Sequence, residues 1–553
     1  MAIYLHLFET ESQFQDKRTN DYYEPWLSLT EESNDRVDYN KTEDEKLLGT
    51  PFTIEALGSG EVTWGDLDDK TVQYSKNGGS WETMNRSTTI SVVEGDEVQF
   101  KGTNTSYGGG YNGISVTTQF NVKGNIMSLT DGDEFETANT INGSNCFRYL
   151  FKYNYGLVSA GDLKLPATTL ANGCYSYMFC GCSGLTAAPE LPAITLANYC
   201  YRYMFQECAS LTTAPELPAT TLAQSCYDSM FYDCTSLTKA PELPATTLVD
   251  NCYQYMFCAC ENLTTAPSEL PATTLASNCY DNMFMGCTSL ATAPVLPATT
   301  LADYCYCAMF ESCTSLTKAP ELPATTLAEY CYSHMFNYCT SLTTAPELPV
   351  TTLAEGCYSH MFASCTSLTT APELPATTLA EGCYDGMFSR CTLTTAPELP
   401  ATTLAARCYN SMFYNCTNLT TAPVLPVTTL AEGCYQLMFY NCTNLTTAPV
   451  LPATTLAKSC YSSMFSYCTN LTTAPELPAT ALVNNCYINM FQGCTKLNYI
   501  KAMFTTTPSS QYTSSWVYNV ASTGTFVKNA SATWTTTGAS GVPTGWTVET
   551  ASS

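Results

Sequence analysis

Along most of the chain apolar and polar residues follow one nine-residue pattern, CYxxMFxxC, beginning at Cys174, Cys200, Cys226, Cys252, Cys279, Cys305, Cys331, Cys357, Cys383, Cys408, Cys434, Cys460 and Cys486. The spacing is 26 residues, stretched to 27 by the extra Ser268 and cut to 25 at the CTLTTAP that follows Arg390. A worn copy, CFRYLFKYN, opens the array at Cys146. Taken at about 100° per residue, Cys357, Tyr358, Met361, Phe362 and Cys365 fall within an arc of roughly 140°, with Ser359, His360, Ala363 and Ser364 opposite. The pattern predicts a short helix in each repeat, constant letters inward and changing letters in water. A period of this length held over thirteen copies predicts a solenoid whose turns bury their apolar faces against their neighbours.

The segment between blocks, TSLTTAPELPATTLAEG over 366–382, supplies the other layer. Leu342, Ala345 and Leu348 are expected to point inward from an extended stretch, with Leu353 closing the turn before the next block. Pro346 and Pro349 recur in nearly every turn, and a proline cannot donate to a sheet ladder, so any strand is confined to the LTT. The rest is expected to run as a polyproline-like edge.

The segment from Cys339 to Cys365, CTSLTTAPELPVTTLAEGCYSHMFASC, resembles the BspA-like leucine-rich repeats of surface proteins. The resemblance covers about 146–500; it is specific in MFxxCxxL, and the linker is longer and richer in proline. It implies adhesion and ligand binding without enzymatic activity. The opening residues YYEPWLSLTEES and VDYNK are similar to the starts of virion appendage proteins of phages infecting gut anaerobes.

Four regions are expected. Residues 1–49 form an acidic anchoring segment with an aromatic cluster at Tyr22, Tyr23 and Trp26. Residues 50–130 form a β-sandwich with strands in FTIEAL, TVQYS, TTISVV, EVQFKG and TTQFNV, punctuated by Asn77-Gly78-Gly79, Gly95-Asp96 and Gly108-Gly109-Gly110. Residues 131–499 form the solenoid, an α/β leucine-rich-repeat array of about thirteen turns, each a short strand plus a short helix. Residues 500–553 form a small β-rich cap with strands in TGTFVKN, SATWTTT and GWTVET. All six tryptophans lie outside the array, so the flanks are read as distinct modules and not as decayed repeats.

Charge removes several functions. Acids outnumber bases 49 to 22, for a net charge of -27, and no basic stripe is present to neutralise phosphates, so nucleic-acid binding is not expected. The first residues, MAIYLHLFETESQFQDKR, are acidic where a secretory leader is basic and then apolar, and no run is long enough to span a membrane. No GxSxG, HExxH or phosphate-cradling loop occurs, and no enzyme, cofactor or metal is expected.

Twenty-six of the thirty cysteines are the paired block cysteines; Cys146, Cys180, Cys258 and Cys307 make up the rest. On a helix the two of a block lie about 12 Å apart, beyond the roughly 7 Å a disulfide allows. Buried thiols acting as small hydrophobes fit every turn equally. Bridges between adjacent turns stay open.

The outward positions are the third, fourth, seventh and eighth of each block, 52 sites in thirteen turns, and tyrosine, serine and asparagine fill 8, 11 and 6 of them. A merely solvated helix face favours Lys, Glu, Gln and Arg. These three types are those of antibody-like contact surfaces, although drift in duplicated repeats also produces variability. Candidate ligand contacts are Tyr177, Tyr203, Tyr232, Tyr255, Tyr338, Tyr414, Tyr440 and Tyr467, with His334 and His360 in neighbouring turns. A glutamate column (Glu190, Glu216, Glu242, Glu269, Glu321, Glu347, Glu373, Glu398, Glu476) reads as a solvated acidic edge, with a divalent-cation track as the other reading. Trp64 and Trp81 are read as core in preference to sugar platforms. The expected protein is an elongated, non-enzymatic virion appendage such as a head fibre, homo-oligomeric, joined to other virion proteins through 1–49 and binding host-surface or mucus glycan or protein. A bacterial cell-surface adhesin is the alternative.

Overall fold

The structure, a computed structural model, describes residues 41–65, 67, 70–107 and 113–551. The aromatic cluster at Tyr22, Tyr23 and Trp26, the VDYNK opening except Lys41, and Gly108-Gly109-Gly110 lie outside the described residues. Glu45–Ser553 forms one compact unit.

Ten short strands precede or join the array: β1 (Thr53–Ala56), β2 (Gly60–Trp64), β3 (Val72–Lys76), β4 (Glu82–Met84), β5 (Ile90–Val92), β6 (Glu97–Gly102), β7 (Ile114–Val116), β8 (Phe120–Asn125), β9 (Leu157–Ser159) and β10 (Leu163–Lys164). They make a seven-stranded sheet in the order β10-β8-β1-β6-β3-β4, with β9 also on β8, and a three-stranded sheet β5-β2-β7. Strict alternation in Glu97–Gly102 puts Val98 and Phe100 in the core and Gln99 and Lys101 toward solvent. The five expected strands are present, TTQFNV only from Phe120 onward; β2, β4 and β7 were not expected, and the last two have three residues each, too few to show a period. Pairing in the sheet is antiparallel except where β9 and β10 lie parallel to β8. That change of direction is where stacking of repeats begins.

The blocks are not helices. In the turn at Cys174, Gly173, Tyr177 and Gly181 have φ of 62, 58 and 73°, so every fourth residue is left-handed, and the same positions repeat this along the array. Alternate amides close local four-residue turns: Ser176 N–H to Gly173 O (3.0 Å), Met178 to Tyr175 (3.1 Å), Cys180 to Tyr177 (3.2 Å) and Cys182 to Phe179 (3.0 Å). The amides between them point along the stack: Tyr175 N–H to Cys200 O (3.0 Å), Tyr177 to Arg202 (2.9 Å), Phe179 to Met204 (2.9 Å) and Gly181 to Gln206 (2.7 Å). An α-helix spends its amides within itself. This backbone divides them between closing each turn and bonding it to the next, which satisfies buried donors while holding the repeats together.

The inward set is as expected. Tyr358, Met361, Phe362 and the block cysteines are buried. The second-position rings form one column from Tyr175 to Tyr487, centroids 5.6–6.0 Å apart. The sixth-position rings form another from Phe151 to Phe491. Both are offset-stacked, within the range that favours aromatic pairs.

In the linker Leu342, Leu348 and Leu353 are buried, whereas Ala345 is only half-buried against the core. The strand expected near LTT shrinks to single-residue parallel bridges, such as Thr213↔Lys239↔Thr265, with a second series at the ATT, Thr274↔Thr300↔Thr326. The prolines that lie between the two series stop each from lengthening toward the other.

The C-terminal flank continues the stack, which corrects its reading as a non-repeat module. β11 (Tyr499–Ala502), β12 (Thr525–Lys528) and β13 (Thr547–Thr550) form a parallel sheet, Tyr499 opposite Thr525 and Thr525 opposite Thr547. Residues 512–520 reproduce the block without its letters: Tyr487, Asn489, Phe491 and Gly493 donate to the carbonyls of Tyr512, Ser514, Trp516 and Tyr518, and Ser515 and Asn519 are left-handed. SATWTTT is not a strand. Its Trp534 instead stacks on Phe504 at 5.3 Å.

Candidate binding face

The backbone decides what the outward positions present. The fourth and eighth residues of each block, and the residue before it, are left-handed, a conformation cheap for glycine, tolerable for asparagine and costly for bulky side chains. The left-handed fourth and eighth positions are half of the 52 sites; four of the six asparagines occupy them, as the backbone favours, whereas the eleven serines divide evenly, five to six, so backbone geometry does not account for the serines. The regular Gly and Asn of AEG, SN and NN before the block cysteines carried that signal, which a helical reading passes over.

Exposure also differs from a solvated helix face. Third-position Ser176, Asp228, Ser333, Ser359 and Ser462 are buried, because stacked turns leave only part of each outward residue open. Among the ten candidates Tyr338 and Tyr467 are exposed, and Tyr177, Tyr203, Tyr232, Tyr255, His334, His360, Tyr414 and Tyr440 are half-buried. The structure brings several together. Tyr177 lies between Tyr149 (5.0 Å) and Tyr203 (4.5 Å); Tyr414 stacks on Tyr440 (4.7 Å), which meets Tyr467 edge-on (5.4 Å); His334 stacks on His360 (4.9 Å). Tyr338 receives a bond from Arg390 Nη1 two turns on (3.3 Å). Tyr232 and Tyr255 join no ring column. Tyr304 and Tyr330, stacked at 5.0 Å and placed just before the block, belong to the same face and were not among the candidates.

Each histidine turns Nδ1 toward the preceding serine hydroxyl, Ser333–His334 at 2.8 Å and Ser359–His360 at 3.0 Å. The Nε2 of His360 packs over Gly386, beside Asp385, whose carboxyl is pushed up by burial and drawn back by the His360 charge. Burial, then the neighbouring His360, pushes His334 down to about 4. Burial pushes Asp281 up to about 6 despite amide donation from Gln254 and Asn282. Among the described residues no three His, Cys, Asp or Glu side chains gather to hold a metal ion.

The opposite edge carries the exposed glutamate column and, at its interruptions, Val295, Val424 and Val450. Five shallow concavities of ≈ 420 to ≈ 620 Å³ follow one another along it between Ala291 and Pro426, walled by the prolines of adjacent turns. Trp64 is fully buried, and Trp81 lies under Lys101 Nζ at 4.4 Å.

Residues 172–515, more than half of the chain, match in overlapping stretches the model described as BspA type leucine rich repeat region. The chain belongs to the BspA-type leucine-rich repeat family. No curated protein matches it. Among solved structures it is similar to a leucine-rich repeat protein from Bacteroides ovatus ATCC 8483, at 17% identity and a TM-score of 0.30, covering 58% of this chain and 83% of that one. It is also similar to TLR13 in complex with ssRNA13 (10% identity, TM-score 0.16, 70% of this chain and 75% of that one). The plant peptide hormone receptor RGFR1 in complex with RGF2 is similar at 11% identity and a TM-score of 0.16, covering 72% of this chain and 68% of that one. BspA-type repeats suggest a surface-associated binding role. Among the described residues no helix is long and apolar enough to cross a membrane.

Proposed function

We propose that this BspA-type protein is a non-enzymatic, surface-displayed adhesin whose block face engages host-surface or mucus glycan or protein. In this reading the array is a thirteen-turn solenoid closed by the β-module at one end and by 499–551 at the other. The observation that carries the reading is the placement of ten tyrosines in left-handed conformation: Tyr149, Tyr153, Tyr177, Tyr199, Tyr203, Tyr255, Tyr304, Tyr330, Tyr338 and Tyr467. Each gives up about 1 kcal/mol relative to a residue suited to that geometry. Drift under selection for stability alone would replace them with the glycine or asparagine used in sister turns. Their gathering on one face points to work done by the rings, and repetition along the stack lets weak contacts add through avidity.

The test replaces Tyr177, Tyr203 and Tyr255 together with asparagine, which the backbone accepts. Binding to mucin-coated surfaces and to intact cells should fall at least tenfold with the melting temperature unchanged; undiminished binding overturns the reading. Display on a virion is a second reading, favoured by YYEPWLSLTEES and VDYNK, with 1–49 docking to the particle and several copies sharing one mount. Antibody against the array should then label purified particles, and a variant lacking 1–40 should fold but fail to join them.

A further inference from the structure

We propose that the first three turns of the block face form a site for an acidic saccharide, a refinement that rests on the reading of this face as a contact surface. The chain has only 22 basic residues against 49 acidic ones, yet three of the five cations on the block face between Cys146 and Cys494 sit in these turns: Arg148, Lys152 and Arg202. The other two, Arg390 and Arg407, stand in later turns, and Arg390 is engaged by Tyr338.

The three are interleaved with phenols. Arg148 lies 4.5 Å from the Tyr149 ring and donates to its hydroxyl (2.6 Å). Lys152 Nζ is 4.9, 4.7 and 5.0 Å from the rings of Tyr149, Tyr153 and Tyr177. Arg202 covers Tyr203 at 4.7 Å and spends part of its charge on Asp228 at 2.8 Å. Beside them Tyr153 and Tyr155 are 50% and 67% exposed with centroids 6.4 Å apart, the widest open aromatic surface next to a cation on this face. A sugar ring offers C–H bonds to such a surface, and Lys152 at its margin meets a carboxylate or sulfate on the same residue. The net charge of -27 opposes long polyanions in general, so recognition must be local and must use the phenols as well as the cations.

Four probes are titrated against the full chain: a hyaluronan oligosaccharide, a chondroitin sulfate oligosaccharide, neutral maltoheptaose and a single-stranded DNA oligonucleotide. At least one acidic saccharide should bind tenfold or more tighter than maltoheptaose and than DNA, and the order of the two acidic probes separates carboxylate from sulfate. K152Q combined with Y155A, the first at a half-buried and the second at an exposed position, should lose that binding at least tenfold with the melting temperature lowered by no more than a few degrees, while K318Q on the opposite edge should not lose it. Equal binding of neutral sugar or DNA, an unaffected double variant, or an equal loss in K318Q overturns the site. If the asparagine variants of Tyr177, Tyr203 and Tyr255 still abolish mucin binding in that case, the inference fails and the adhesive reading stands.

Discussion

The Sγ of Cys208 lies 3.2 Å from the carbonyl oxygen of Phe179, one turn earlier. The same contact recurs from Cys182 on Phe151 to Cys494 on Phe465. The Phe carbonyl already accepts the amide of its own turn's second cysteine, so the thiol fills its remaining lone pair and binds two turns through one oxygen. The second cysteine is therefore a weak donor in a defined place as well as a small hydrophobe. With no helix, the helical spacing that kept the two block cysteines apart no longer applies; what holds the second sulfur is its carbonyl.

Cys339→Ala, at a fully buried site, should cost about 1–2 kcal/mol in denaturant unfolding, from the lost volume and the lost bond to Phe310. Cys339→Ser keeps a donor, so it should be milder than alanine; a serine worse than alanine would reduce the thiol to a filler. Burial lifts the thiols, Cys174 and Cys226 to about 12, which disfavours the reactive thiolate. Iodoacetamide at pH 8 should leave the folded chain almost unlabelled and label all thirty cysteines after denaturation without reductant.

Trp516 closes the aromatic columns, touching Tyr487 (6.2 Å) and Phe491 (6.2 Å), with its indole N–H on Gly541 O at 2.9 Å. Past it neither ring column goes on, and this one fully buried ring, covered in turn by 539–541 and by Phe526, fills the end of both. Trp516→Ala should remove about 3–5 kcal/mol locally. Hydrogen exchange should then show 499–551 opening while amides near Cys331 stay protected; uniform loss along the array would contradict this.

Two groups on the block face, the buried Asp281 and the half-buried His334, respond to pH with opposite sign. Asp281 is held up to about 6, so its folded form binds the proton more tightly, and its contribution is full below pH 4 and lost as pH rises through 6. His334, held down to about 4, contributes fully above about pH 6.5 and loses this as pH falls toward 4. Asp281→Asn, which keeps an acceptor for Gln254, should be about 1–3 kcal/mol more stable than the parent at pH 8 and equal to it at pH 3.5. His334→Asn should show its advantage at pH 4.5 instead. Urea midpoints at the three pH values separate the two.

The repeat, its period and the five inward side chains were legible because burial writes the same letters thirteen times. The backbone that carries them was not. Apolar residues at block positions 1, 2, 5, 6 and 9 fit a period of about 3.6 over so short a stretch as well as the period of four that the turns impose. The decisive sign was Gly356, Gly382 and Gly433 sharing a position with Asn251, Asn278 and Asn485, which are all left-handed. The C-terminal turn hid for a different reason: Trp516 and Val517 replace the Met and Phe of the block, so only the bonding pattern reveals the repeat. The candidate tyrosines share a face, but which rings meet depends on the stack, and no single turn encodes that.

Gly382 and Gly386 separate the backbone's demand from the space around it. Both are left-handed, at φ 55 and 58°, and a methyl group at Gly382 would meet nothing within 4 Å. Gly382→Ala should therefore cost only the conformational term, about 1 kcal/mol. At Gly386 the same methyl would stand 2.4 Å from His360 Nε2, so Gly386→Ala should cost more, about 2–3 kcal/mol, as the ring is pushed off its stack on His334. Combining it with His360→Ala removes the clash, and the alanine at 386 should then cost no more than the one at 382. Equal costs for the two single variants would mean that the histidine ring gives way freely, and that the stacked pair is not held in place by the turn beneath it.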